Sequence, residues 1–84
     1  MRKVGEILKT TREAKHISQQ EVASHLNLKI GQVEAIENGN WGSLPEAAYV
    51  KGFIKNYAHF LHLDSEKLLA LHRAEYDERK FIKP

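Results

Sequence analysis

The segment Gln20–Gly39, QEVASHLNLKIGQVEAIENG, decides the fold class of this chain. Just ahead of it stands Ser18, with Glu21 three residues on. At that spacing a hydroxyl and a carboxylate cap a helix start reciprocally. Val22, Ala23 and Leu26 then recur at helical spacing and define a buried side. Asn27 follows, a residue that tolerates the left-handed backbone of a helix end better than most. After a short turn, Ile30, Val33 and Ile36 mark the inner face of a second helix, and Asn38-Gly39 is its stop signal. Two short helices joined by a tight turn, with the small Ala23 at the crossing, spell a helix-turn-helix.

Helical patterning continues on both sides of this unit. Upstream, Val4, Ile7, Leu8 and Ala14, with Thr11, sketch the inward stripe of a helix from Val4 to Lys15, its bases facing water. Downstream, the loop Asn40-Trp41-Gly42-Ser43 is expected to lay Trp41 over the edge of the core. The stretch 44–63, LPEAAYVKGFIKNYAHFLHL, then reads as a long helix from about Pro45 to His62. Pro45 suits a first turn, and Glu46 favours the positive helix end. At roughly 100° per residue, Val50, Ile54, Tyr57, Ala58 and Leu61 share one face. Tyr49, Phe53 and Phe60 form a second, aromatic stripe, and Lys51, Lys55, His59 and His62 take the other side.

Asp64 or Ser65 caps a fifth helix, with Leu68, Leu69, Leu71, His72 and Tyr76 inward. From Asp77 the charged run DERKFIKP is expected to fray. The predicted fold is all-α, a five-helix bundle containing a helix-turn-helix. Residues 1–78 would form the domain, and 79–84 a charged tail or the start of a juxtamembrane linker.

Bulk composition narrows the function. Eighty-four residues make one small core, and the absence of Cys removes disulfides and cysteine zinc sites. The formal charge of +2 hides a gradient: residues 1–17 carry +3, whereas 18–39, the helix-turn-helix, carry −2. No apolar run approaches the roughly 20 residues that span a bilayer. The N-terminus also lacks the apolar core of a signal peptide, so a cytoplasmic location is expected. No glycine-rich phosphate loop and no Ser/His/acid constellation is visible, so no enzyme and no cofactor is expected. His59 and His62 are three apart, but zinc wants three or four ligands and no third is near, so no metal site is expected.

Two binding readings survive. If the helix-turn-helix reads DNA, its outward residues are Lys29, Gly31, Gln32, Glu34 and Ala35, of which Lys29 and Gln32 can contact DNA. Gly31 and Ala35 offer no side-chain hydrogen bond, and Glu34 and Glu37 repel phosphate. The other signal is the surplus aromatic surface of the long helix. Phe60, near the turn, is expected in the core. Tyr49 and Phe53, beside Lys51 and Gly52, have the composition of protein-interface anchors. Gly52 costs its helix roughly 1 kcal/mol against Ala, a cost explained if a backbone or a partner approaches closely there.

The stretches REAKHISQQEVASHLNLKI at 12–30, EAIENGNWGSLP at 34–45 and YVKGFIKNYAHFLHLD at 49–64 resemble the N-terminal cytoplasmic domain of the RodZ bacterial cell-shape family. The resemblance covers roughly residues 4–72, and Tyr-Val-Lys-Gly-Phe-Ile-Lys-x-Tyr-Ala is its most diagnostic part. It implies a five-helix, lambda-repressor-like bundle that docks on the bacterial actin MreB and helps maintain rod shape. The contact positions it implies match Tyr49 and Phe53 as anchors, with Lys51 and Lys55 as basic neighbours. It also implies tethering to the inner face of the cell membrane, through a segment this chain does not include.

Overall fold

The computed structural model describes the backbone of residues 3–40 and 47–82 and the side chains of residues 3–40 and 50–75. Five α-helices follow one another: α1 Lys3–Ala14, α2 Gln19–Leu26, α3 Ile30–Glu37, α4 Ala47–Phe60 and α5 Ser65–Ile82. There is no strand among the described residues. The fold is the all-α bundle that the periodicity predicts. Trp41 and the side chains of Tyr49 and Tyr76 lie outside the described residues.

Local chemistry sets the helix starts. Ser18 Oγ accepts the Glu21 N–H at 3.1 Å, and Glu21 Oε1 accepts the Ser18 N–H at 3.0 Å, which completes the capping box of α2. At α5 the cap is Asp64, whose Oδ1 accepts the Glu66 N–H at 3.1 Å and the Lys67 N–H at 3.4 Å. Ser65 turns inward instead, its Oγ 3.2 Å from His59 Nε2 on α4.

The helix ends repeat one device. His16, Asn27, Gly39 and His62 have φ of 59°, 59°, 68° and 61°. In each case the next residue's N–H reaches back to close the terminal turn: Ile17 to Arg12 O at 3.1 Å, and Leu28 to Ala23 O, Asn40 to Ala35 O and Leu63 to Ala58 O, each at 2.8 Å. The reversal at His62 is why α4 ends at Phe60, short of the expected His62. A left-handed backbone costs an L-residue about 1–2 kcal/mol. His62→Gly is therefore expected to gain about 0.5–1 kcal/mol once glycine's extra unfolded-state entropy is subtracted. A higher urea midpoint with an unchanged slope would show it; no gain would mean the imidazole stabilises the native turn.

α1 packs on α3 and α5, α2 packs on α3 and α4, and α4 packs along α5. Their shared core holds Val4 and Leu8 of α1, Val22 and Ala23 of α2, Val33, Ala35 and Ile36 of α3, and Leu68 of α5. Every residue assigned to the inner face of α4, namely Val50, Ile54, Tyr57, Ala58 and Leu61, belongs to it.

Several expected orientations are corrected. Ala14 is exposed, because α1 ends there and turns at His16. Ile30, the first residue of α3, is 45% exposed rather than inward. Ala35, placed outward in the DNA reading, and Glu37, counted there as repelling phosphate, are both buried: Ala35 joins the core and Glu37 faces Arg12 of α1. α5 does not fray at Asp77 but stays helical to Ile82. Glu78, Arg79 and Lys80 are strong helix formers, so charge there does not oppose the helix.

The largest departure is Arg12, expected in water and found 8% exposed. Its Nε donates to Glu37 Oε2 at 2.7 Å and its Nη2 to Glu37 Oε1 at 3.2 Å, while Nη1 caps the Ile17 carbonyl at 2.9 Å. Gln19 Nε2 adds a bond to Glu37 Oε1 at 2.9 Å, and the Tyr57 hydroxyl donates to Glu37 Oε2. One carboxylate, itself 3% exposed, thus ties α3 to α1, α2 and α4. Burial alone would raise the Glu37 pKa, but the bonds from Arg12, Tyr57 and Gln19 outweigh it and hold it below its usual value. Burial, then the hydrogen bond to Glu37, raises that of Tyr57, and the hydrogen bond to Glu37 raises that of Arg12 against desolvation.

Candidate docking face on the fourth helix

α4 presents two unlike sides because its apolar residues recur at three- and four-residue intervals. Opposite the buried row, Lys51, Gly52, Lys55, Asn56 and His59 are exposed. The sequence of α4, AAYVKGFIKNYAHF, contains no Asp or Glu, so this solvent face is uniformly basic or neutral.

Phe53 is half-buried and packs against the core cluster, so its ring is shared between the interior and the surface. The backbone of Tyr49 lies in the first turn of α4. Phe60, expected in the core, is only half-buried at its edge, and its ring meets His25 of α2 at a centroid distance of 4.3 Å with a 31° tilt. Beside that pair, at the foot of the exposed face, is an open depression of about 380 Å³ lined by His25, Leu26, Asn27, Asn56, His59 and Phe60.

Gly52 sits mid-helix, and a Cβ added to it would meet nothing within 4 Å among the described residues. Among the described residues no backbone approaches it, so an internal crossing does not account for its cost there. The close approach is instead at Gly5, a residue the periodicity does not single out. A Cβ there would lie 2.2 Å from the Glu37 carbonyl oxygen and 2.6 Å from that of Ile36. The available signal was its position three residues before Leu8 and seven before Arg12, on the inner side of α1.

Lys51 also affects the interior. His72 of α5 is only 7% exposed. Burial, with the positive charge of Lys51 second, pushes its pKa below the usual 6.5. The folded protein therefore resists a proton that the unfolded chain accepts. That stability is complete above 6.5 and declines as the pH falls from there through the lower folded value. Glu37 acts in the same direction at lower pH, its contribution complete above 4.5 and lost as it is protonated in the fold. His72→Leu is expected to flatten the fall in melting temperature between about pH 7 and pH 5.5. An unchanged slope in that window would remove His72 as its source.

The DNA-reading side is poorer. Lys29 and Glu34 are exposed and cancel, and Ile30 and Gly31 lie between them in the first turn. Gln32 is half-buried and its Oε1 accepts the Lys29 N–H at 2.9 Å, which commits one end of the amide to capping α3. Among the described residues no group of three or more His, Asp or Glu side chains is placed to hold a metal ion. Nor is any helix among them long and apolar enough to cross a membrane.

Comparison with known proteins agrees with this architecture. The chain matches the model of a helix-turn-helix domain family over residues 7–68, and it belongs to that family. It is also similar to an uncharacterized protein of Haemophilus influenzae, 41% identical over 61 residues. That alignment covers 70% of this chain and 20% of the relative, so the chain corresponds to a small part of it. No solved structure matches the chain.

Proposed function

We propose that this domain is a cytoskeletal adaptor that binds the bacterial actin MreB through the solvent face of α4 and thereby helps maintain rod cell shape. The observation that carries this reading is the exposed row Lys51, Gly52, Lys55 and Asn56 on a helix without a single carboxylate. Phe53 supplies an apolar anchor at its edge, the sequence offers Tyr49 as a second, and Lys51 and Lys55 steer and orient an acidic partner. The domain acts as a binding module rather than an enzyme. In the cell it works at the inner face of the membrane, held there by a segment outside this chain.

Phe53→Ala is expected to weaken co-sedimentation with MreB filaments, a central anchor being worth at least about 2 kcal/mol. The double charge reversal Lys51→Glu/Lys55→Glu is expected to weaken it as well, with the circular dichroism spectrum remaining helical in both. Binding by both variants at wild-type strength would defeat the adaptor reading.

Membership in the helix-turn-helix family supports a second reading, a transcription regulator using Lys29 and Gln32. Its signature is DNA affinity that keeps a sequence preference and falls steeply with salt, measured by fluorescence polarisation at two ionic strengths. Only one exposed lysine on the reading helix, offset by Glu34, argues against it.

A further inference from the structure

The glycine at the centre of the basic row is a steric feature that charge does not explain. Gly52 is exposed in the middle of α4, and no described residue lies within 4 Å of where a Cβ would stand. Alanine there would favour the helix and touch none of the described residues, so none of them requires the glycine. One turn further along the same face is the short side chain of Asn56, which also lines the depression shared with α2. Gly52 and Asn56 therefore form a low track beside Lys51 and Lys55. The track leads into the hollow between His25, Asn27 and His59.

We infer that this track seats one acidic helix of the protein partner, whose backbone crosses α4 at Gly52 while its carboxylates meet Lys51 and Lys55. The inference rests on the adaptor reading and adds to it the shape and chemistry of the bound element. Helix axes normally pack 8–10 Å apart, depending on the side chains at the contact, and a residue without Cβ permits the closest approach. Complementary charge selects the occupant, since α4 offers two lysines and no carboxylate.

The test separates stability from binding. Gly52→Ala is expected to raise the melting temperature by about 4–8 °C while weakening co-sedimentation with MreB filaments. Gly52→Leu is expected to remain helical and to bind at least about tenfold more weakly than wild type. Gly31→Ala, on the reading helix and equally open, is the control and is expected to bind unchanged. If Gly52→Leu binds within about twofold of wild type, no backbone crosses there and this inference is overturned, with the adaptor reading intact. If wild type itself fails to pellet with filaments, the adaptor reading falls and takes the crossing with it.

Discussion

Arg12→Ala is expected to cost about 3–5 kcal/mol, because it strands the Glu37 carboxylate in the interior without its countercharge. Glu37 would keep the Gln19 amide and the Tyr57 hydroxyl, but neither neutralises it. The Ile17 carbonyl would also lose the Nη1 donor that closes the turn after α1. Against a total stability of about 5–15 kcal/mol for a domain, a loss of that size leaves much of the protein unfolded near physiological temperature. Tyr57→Phe removes one neutral donor and is expected to cost about 1–3 kcal/mol.

The double substitution Arg12→Met/Glu37→Leu is the informative companion. It removes both charges and fills the space, so it is expected to recover most of what Arg12→Ala loses. Urea denaturation of the three variants beside wild type reads this directly. A loss below about 1 kcal/mol for Arg12→Ala would mean that water reaches Glu37 and that the ion pair does not hold α1 to α3.

Gly5→Ala is expected to cost about 3 kcal/mol, the upper end of what overpacking exacts. Its methyl would have to displace backbone atoms of Ile36 and Glu37, which no side-chain rotation can relieve. Moving Glu37 would also stretch the short bonds from Arg12, so the two sites are coupled and their costs are not additive. Gly31→Ala, at an open position, is the matched control and is expected to be near neutral or stabilising. Equal melting temperatures for the two variants would show that α1 and α3 do not cross at Gly5.

These two sites mark where one-dimensional reading stops. The inner face of α4 was legible because burial of a whole helix side imposes a repeat near 3.6, and every residue of that repeat is in the core. The capping box at Ser18 and the left-handed Asn27 were legible because their partners are within a few residues. Asp64 or Ser65 was a choice that local rules left open, and the direction of Ser65 toward His59 decided it.

The exposed basic row of α4 follows from the same periodicity, whereas Phe53 keeps only part of its ring at the surface. How far an aromatic at the edge of a helix face is covered depends on the neighbouring helices, not on its own angle around the axis. Ile30 shows the converse. Its spacing matched Val33 and Ile36, but as the first residue of α3 it is 45% exposed.

From its amino acids alone the chain determined its five helices, the capping box and left-handed end of α2, and the inward side of α4. Those are consequences of backbone capping and of apolar spacing over a few residues. Only the tertiary structure decided that Arg12 and Glu37, 25 positions apart, abandon water for one another, and that Gly5 exists to let two backbones touch. Charge in a sequence reads as solvent exposure until a partner from a distant segment makes burial affordable. Such a partner is set by how helices cross, which no local pattern encodes.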